Sequence, residues 1–202
     1  MAEADPAAVA GYLQQMWESG DDPWQISAGW YEQRKRAAVL AALSRPRYHR
    51  AFEPACAGGV LTEQLAPRVD SLLASDAAER AVALTRARVP SAEVRQLQLP
   101  AQWPDGAFDL IVLSEFGYYL SPTGWIELAR RVAASLTGNW TVLACHWRHD
   151  FPQRAAATSW LHQALAAELA GVRQLSLLDA DFQLDVWGPP GASLAAQEGR
   201  LD

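Results

Sequence analysis

Apolar and polar residues follow two different spacings along the chain, and these spacings predict its secondary structure. Apolar residues spaced along one helix face predict helices near residues 6–18, 28–43, 59–67, 77–88, 123–136 and 153–170. Short apolar runs bounded by turn residues predict strands near residues 50–55, 71–75, 93–98, 108–113, 140–146, 172–178 and 182–187. Asp5 and Pro6 have the chemistry of an N-cap followed by proline at the first helical position. Two helices are therefore expected before an alternating series of strands and helices.

The order of these segments predicts an α/β fold. Strands that alternate with helices usually form a mainly parallel sheet with helices on both faces. The last two predicted strands, 172–178 and 182–187, are separated by only a few residues. They are therefore expected to form an antiparallel hairpin at one edge of a seven-stranded sheet.

Composition limits the chain to one domain and excludes several classes of ligand. A sequence of 202 residues with 50% apolar content can build one proper core. Its 17 basic and 23 acidic residues give a net charge of -6, which does not suit a nucleic-acid partner. Cys56 and Cys145 lack the neighbours that a disulfide framework or a zinc site needs, so no metal is expected.

The ends of the chain and its apolar runs indicate where the protein works. The N-terminus lacks a signal-peptide pattern, and no apolar run approaches the roughly 20 residues that span a bilayer. We therefore expect a cytoplasmic protein without a membrane partner. The sequence leaves the oligomeric state open between a monomer and a homodimer. The domain is expected to cover residues 1–187, and the tail 188–202, with its Gly-Pro-Pro-Gly start, is expected to be poorly ordered.

Small and acidic residues end the first two predicted strands, where ligands bind in open α/β sheets. Small side chains follow Glu53 and let the backbone turn sharply toward a helix. The glycine pattern of dinucleotide sites is absent, because its three positions hold Ala55, Ala57 and Val60. Asp76 ends the second strand, where a carboxylate can accept two hydrogen bonds from a ribose diol. The pattern favours an adenosine-containing ligand and disfavours NAD.

On these residues the chain resembles the class I S-adenosylmethionine-dependent methyltransferases. Glu53 and Gly59 match the two ends of the family's acidic-x-Gly-x-Gly-x-Gly motif, and Asp76 matches the acid that ends the next strand. The segment 108–112 is similar to the strand that closes the family's site. The resemblance covers roughly residues 45–187 and implies a Rossmann-like class I methyltransferase fold.

A narrower resemblance is to the nodulation protein S group, which N-methylates the free amine of a chito-oligosaccharide signal. It rests on the segments Asp22-Pro23-Trp24, Trp30-Tyr31-Glu32-Gln33-Arg34, Phe52-Glu53-Pro54, Ser114-Glu115-x-Gly117-Tyr118-Tyr119-Leu120 and His146-Trp147-Arg148. It implies S-adenosylmethionine as the cofactor and a small molecule as the acceptor, with an amine on a sugar-like molecule favoured. A hydroxyl acceptor and a catalytically silent binding protein are the alternatives.

The resemblance implies a set of donor-binding residues and a helical lid formed by residues 1–44. The candidates are Trp24, Arg34, Glu53, Ala55, Ala57, Gly59, Asp76, Gln98 and Ser114. Glu53 would hold the methionine end and Asp76 the ribose, while Gln98 stands where many members have an acid for adenine. Arg34 would pair with the donor carboxylate, although Arg34-Lys35-Arg36 is alternatively a solvated helix face. Because alanine replaces two glycines of the motif, the loop can bind the donor only if its backbone stays at φ angles that alanine tolerates.

Three residues near later strand ends are candidates for catalysis. Glu115 follows the fourth strand in chain order and could orient an amine and take up its proton. Either Tyr118 or Tyr119 is expected to line the acceptor pocket, and Tyr119 is the candidate we select. His146 ends the next strand and could act as a base, or it could be a structural histidine.

Overall fold

The computed structural model describes residues 6–191 and 193–200 and contains a single seven-stranded sheet within those ranges. The strands are β1 (Tyr48–Pro54), β2 (Val69–Asp76), β3 (Glu93–Gln96), β4 (Phe108–Ser114), β5 (Leu136–Trp147), β6 (Val172–Leu178) and β7 (Phe182–Gly188). Their order in the sheet is β3-β2-β1-β4-β5-β7-β6. Strands β1 to β5 pair in parallel, whereas β7 runs antiparallel to both β5 and β6. The predicted sheet and its antiparallel edge hairpin are confirmed.

The direction of the strand order reverses between β1 and β4, and this reversal fixes where a ligand can bind. From β1 the chain proceeds outward to β2 and β3, then returns to place β4 on the other side of β1. A crevice forms beyond the carboxyl ends of the strands at such a switch point. The segments that follow β1, β2, β4 and β5 therefore meet at one edge of the sheet.

Helices cover the sheet and connect its parallel strands. They are α1 (Pro6–Ser19), α2 (Trp30–Ala42), α3 (Val60–Leu65), α4 (Glu79–Arg88), α5 (Pro122–Ala134), α6 (Thr158–Glu168) and α7 (Leu194–Gln197). The described part of the chain contains no helix with both the length and the apolar character needed to cross a membrane.

The core has two layers because successive residues of a strand point to opposite faces of the sheet. In β4, Ile111 and Leu113 lie in one apolar cluster, while Leu110 and Val112 lie in the other. All four side chains are fully buried. The apolar run of β4, predicted as a strand from its length, therefore forms the centre of the sheet, with both faces covered.

Asp109 fastens β4 to β1 at the end of the sheet opposite the strand-end crevice. Its carboxylate accepts the backbone N–H groups of His49 at 3.1 Å and Arg50 at 2.8 Å. The Arg45 guanidinium lies 3.2 Å from the same carboxylate. This buried acid therefore stabilises the sheet and takes no part in the candidate site.

Several element boundaries differ from the sequence prediction for local reasons. The helix predicted near 153–170 begins only at Thr158, because the Arg154 guanidinium binds the backbone carbonyls of Arg148, His149 and Ala156 and holds the preceding segment as a loop. A short 3-10 turn, Gly117–Tyr119, follows β4 and was not predicted.

The chain termini bear on two further predictions. The tail predicted to be poorly ordered contains α7, although its residues 192 and 201–202 lie outside the described residues. Residues 1–5, including the predicted N-cap Asp5, lie outside them as well.

Candidate functional site

The loop after β1 adopts a left-handed backbone at all three positions where the motif has glycine. The φ angles are 55° at Ala55, 48° at Ala57 and 76° at Gly59. The condition that the loop keep φ angles that alanine tolerates is therefore met only at a cost in free energy. Alanine in this region costs roughly 1–2 kcal/mol per residue because its Cβ approaches the following carbonyl oxygen. The loop therefore keeps a conformation usually reserved for glycine, in spite of its sequence.

Contacts from β2 and α4 hold this loop in place. The Ala57 N–H donates to the Asp76 carboxylate at 3.0 Å, and the Thr85 hydroxyl donates to the Ala57 carbonyl at 2.8 Å. A Cβ on Gly59 would lie 2.9 Å from the Thr85 side chain. Glycine at position 59 therefore allows α4 to pack tightly against the loop.

Glu53 is a buried acid with spare hydrogen-bonding capacity at the end of β1. Glu53 is 3% exposed, and its Oε2 atom has no well-formed hydrogen-bond partner in the part of the chain that the structure describes. Burial raises the pKa of Glu53 to about 8. A buried polar atom without a partner is unfavourable. This position therefore suits a ligand that donates hydrogen bonds or carries positive charge.

Asp76 connects the ends of β1 and β2 through both of its carboxylate oxygens. Oδ2 accepts the N–H of Ala57, and Oδ1 accepts the N–H of Ala78 at 3.0 Å. Burial raises the pKa of Asp76, although these backbone N–H groups oppose the rise. Each oxygen keeps further acceptor capacity, so the carboxylate can also receive hydroxyl groups from a ligand.

Gln98 and Ser114 lie beyond the ends of neighbouring strands. The Leu97 N–H donates to the Asp76 carbonyl at 3.0 Å, and this contact brings the following Gln98 next to the end of β2. Ser114 is the last residue of β4, beside the end of β1. The structure thus assembles most of the predicted donor residues at one edge of the sheet, from Glu53 through the loop to Asp76, Gln98 and Ser114.

The two predicted lid residues lie in different places. Trp24 belongs to the loop between α1 and α2 and contacts Trp17 edge-to-face at 5.4 Å. Arg34 is half-exposed and pairs with Asp179, in the β6–β7 turn, at 2.6 Å. In this structure the Arg34 guanidinium is therefore engaged at the hairpin edge, and its pairing with the donor carboxylate stays a prediction.

Glu115 is the centre of a charged cluster that we call the Glu115 cluster, formed by Glu32, Lys35 and Glu115. Lys35 Nζ donates to Glu115 at 3.0 Å and to Glu32 at 2.8 Å. The other Glu115 oxygen accepts the Tyr118 hydroxyl at 2.5 Å and the Trp147 N–H at 3.2 Å. The carboxylate predicted to orient an amine and take up its proton therefore already accepts three hydrogen bonds.

Lys35 is a site residue that the sequence reasoning did not identify. It is 5% exposed, and its ammonium lies 5.0 Å from the centroid of the Tyr31 ring. Burial alone would lower the pKa of Lys35, but Glu115 and Glu32 together raise it above its usual range. The available signal was composition, since Lys35 is the only lysine in an arginine-rich sequence.

The two adjacent tyrosines, Tyr118 and Tyr119, differ in their burial. Tyr118 is 5% exposed and packs beneath the surface, whereas Tyr119 is only partly buried. The Tyr119 ring lies 5.7 Å from Phe151 and 6.3 Å from Tyr12 of α1. Of the two, Tyr119 therefore presents the more accessible surface.

His146 does not reach the surface of the site. It is fully buried, with Gly117 N–H 3.3 Å from its Nε2 atom and His162 Nε2 3.0 Å from its Nδ1 atom. Burial lowers the pKa of His146 well below its usual range. Because both ring nitrogens are engaged inside the protein, the geometry favours the structural histidine of the two alternatives. The alternation of β5 turns this side chain inward.

A model of the family described as nodulation protein S matches residues 6–181 of this chain. Nodulation protein S of Sinorhizobium fredii is 35% identical over 120 residues, which are 55% of this chain and 53% of that protein. The chain thus matches about half the length of this relative. Nodulation protein S of Azorhizobium caulinodans is 28% identical over 196 residues, covering 92% of this chain and 89% of that protein.

Two solved structures share the fold. A candidate methyltransferase from Pseudomonas syringae has 45% sequence identity and a TM-score of 0.70, covering 79% of this chain and 99% of that chain. The N-methyltransferase NodS from Bradyrhizobium japonicum, solved with S-adenosylhomocysteine, has 22% identity and a TM-score of 0.78, covering 88% of this chain and 97% of that chain. These matches confirm the resemblance drawn from the strand-end residues. The chain therefore belongs to the nodulation protein S family and has the fold of S-adenosylmethionine-dependent methyltransferases.

Proposed function

We propose that this protein is an S-adenosylmethionine-dependent methyltransferase that transfers the methyl group to an amine of a small molecule. The observation that carries the proposal is a pair of acids, the buried Glu53 and the half-buried Asp76, on either side of the left-handed loop. Among the described residues, one oxygen of Glu53 has no well-formed hydrogen-bond partner, and Asp76 has spare acceptor capacity. Together they fit a ligand with a cationic amine at one end and a sugar diol at the other.

Each donor residue has a role that follows from its surroundings. Glu53 binds the amine of the donor's methionine part, and Asp76 accepts hydroxyl groups of its ribose. The loop at Ala55, Ala57 and Gly59 lets the backbone approach the ligand closely. When bound, S-adenosylmethionine supplies an electrophilic methyl group on a sulfonium. The protein's main task is then to hold the acceptor close and aligned.

The accessible carboxylate of Glu115 favours an amine as the acceptor. Lys35 and Arg36 together balance the charges of Glu32 and Glu115. The preference for an amine rests on the Glu115 carboxylate itself, which can accept a hydrogen bond from an amine N–H and take up the proton that a nucleophilic amine must lose. Glu115 is the residue of the cluster that the solvent reaches best, with a side chain 26% exposed against 7% for Lys35. We propose that Glu115 orients the amine and that Tyr119, beside Phe151, forms an adjacent wall.

The alternative acceptor, a hydroxyl group, fits less well. Methylation of a hydroxyl depends more strictly on a general base. His146 was the candidate for that base, and its buried ring has no free nitrogen to offer. A silent binding protein also fits less well, since Ala55 and Ala57 keep the left-handed loop that donor binding needs. The proposed lid, within residues 1–44, includes Trp24. Burial raises the pKa of Tyr119, and the nearby Trp24 side chain opposes this rise.

Calorimetric titration with S-adenosylhomocysteine tests donor binding. Asp76→Ala is expected to weaken binding at least tenfold, because it removes the proposed acceptor of the ribose hydroxyls. Asp70→Ala is the matched control, as Asp70 lies in the same strand but is exposed and pairs with Arg47 and His49. Absence of binding by the unmodified protein at millimolar ligand would refute the proposal. Transfer to a panel of amino sugars and their hydroxyl counterparts then tests the acceptor class, and preference for hydroxyls would refute that part.

A further inference from the structure

A chain of buried polar groups connects the edge hairpin to the turn beside the candidate acceptor site. Asp185 of β7 lies 2.6 Å from His162 Nδ1 of α6, and His162 Nε2 lies 3.0 Å from His146 Nδ1 of β5. The Gly117 N–H completes the chain at His146 Nε2. All three side chains are at most 2% exposed. Four separate segments of the fold are thus joined by one line of hydrogen bonds.

The direction of every hydrogen bond in this line follows from its two ends. A backbone N–H can only donate, so His146 Nε2 accepts and the proton of neutral His146 resides on Nδ1. That proton is donated to His162 Nε2, which leaves the proton of His162 on Nδ1, facing the Asp185 carboxylate. The chain is therefore internally consistent with both histidines neutral, and Asp185 selects the tautomer of both rings.

We propose that His146 is a positioning residue that fixes the Gly117–Tyr119 turn, with His162 and Asp185 holding its tautomer. The consequence for turnover rests on the proposed methyltransferase function. The turn follows directly on Glu115 and carries Tyr119, so its placement sets two of the groups proposed to meet the acceptor.

The packing around Gly117 shows why the turn depends on this contact. A Cβ on Gly117 would lie 2.9 Å from His146 Nε2 and 2.6 Å from the Trp125 ring. The glycine thus lets the backbone approach the imidazole closely enough to donate to it. On the far side of the turn, the Tyr118 carbonyl accepts the Ala155 N–H at 2.7 Å. The turn is held between these two contacts.

The other end of the line lies at the sheet edge. Asp185 also accepts the Gln183 side-chain amide at 2.6 Å. The Arg173 guanidinium, about half-exposed, lies 3.7 Å from the second Asp185 oxygen. These neighbours favour the ionised form of Asp185 and hence its role as the final acceptor.

Two substitutions of His146 test the contacts of its two ring nitrogens separately. The side-chain amide of glutamine reaches the position of Nε2, and that of asparagine the position of Nδ1. His146→Gln therefore keeps an acceptor for Gly117, whereas His146→Asn keeps only the contact with His162. We expect the Gly117 amide to exchange with solvent about tenfold faster in His146→Asn than in His146→Gln. We expect kcat to fall about tenfold in the asparagine variant alone, with KM for the donor unchanged in both. His49→Gln, at an exposed histidine, is the control.

A third variant removes the Asp185 carboxylate at the other end of the hydrogen-bond chain and changes no residue of the turn. In Asp185→Leu, His162 Nδ1 loses its acceptor, so we expect the tautomers to reverse and the Gly117 amide to exchange faster. The ¹⁵N shifts of the His146 ring report the tautomer directly. Equal Gly117 exchange in the two His146 variants, or an Nε2-protonated His146 in the unmodified protein, would overturn the proposal. If the unmodified protein transfers no methyl group, the proposed function fails, but the exchange and tautomer measurements still decide the positioning role.

Discussion

The two left-handed alanines make a sharp prediction about stability: glycine at either position should stabilise the protein. Ala55 and Ala57 have φ angles of 55° and 48°. Relieving this strain gains roughly 1–2 kcal/mol per residue, while the greater freedom of glycine in the unfolded chain costs about 0.4–1 kcal/mol. We expect a net gain of about 0.5–1 kcal/mol per site. Ala57→Gly should gain more, because the Ala55 methyl packs against the core.

Urea and thermal denaturation of the two single variants and the double variant measure this gain. For a protein of about this size, 1 kcal/mol shifts Tm by roughly 2–4 °C, so the double variant should melt about 2–8 °C higher. The control is Ala66→Gly, where the alanine has φ −50° and a helical ψ. Glycine there should destabilise the protein by about 0.5–1 kcal/mol.

The sign of the change in the free energy of unfolding tests whether the loop is strained. If Ala57→Gly destabilises the protein as much as Ala66→Gly does, the loop is not strained and the reasoning is wrong. Because the backbone shape of the loop is retained, affinity for S-adenosylhomocysteine should stay within about twofold of the unmodified protein. A large loss of affinity would mean that the alanine methyl groups themselves contact the ligand.

Three further predictions concern buried polar groups. The pKa of Glu53 is raised from 4.5 to about 8, so its stabilising contribution is present at low pH and is lost as pH rises between these values, by about 1.4 kcal/mol per pH unit. Denaturation from pH 5 to 8 should show that Glu53→Gln removes this slope, and an identical slope in both proteins would contradict it. Asp109→Ala should lower the free energy of unfolding by about 3–5 kcal/mol, because it leaves the Arg45 charge and two backbone N–H groups without their acceptor; a loss under 1 kcal/mol would show that Asp109 does not fasten the sheet. Tyr118→Phe should cost about 1–2 kcal/mol through the lost hydrogen bond to Glu115, and a neutral result in denaturation would mean that this contact is not formed in solution.

The sheet was predictable from sequence because its signals are local and repeated. Short apolar runs such as 108–113 mark buried strands, and their alternation with helices fixes a parallel arrangement. The acids that end β1 and β2 were predictable for the same reason, since a strand-end position determines the edge of the sheet at which a side chain lies.

Side-chain partners distant in sequence were not predictable. The role of His146 depends on His162 and Asp185, which a single strand-end pattern does not reveal. Arg34 and Lys35 are adjacent in one helix, yet one pairs at the surface with Asp179 and the other is buried against Glu115. Helical periodicity places them on different sides of α2, but it does not say which side faces which acid.

The burial of Lys35 has a practical consequence for chemistry performed on this protein. It is the sole lysine of the sequence and is 5% exposed. Reagents that acylate or cross-link lysine amines should therefore react slowly at residue 35 in the folded chain, while unfolding should expose it. Acylation at residue 35 can thus report when α2 opens away from Glu115.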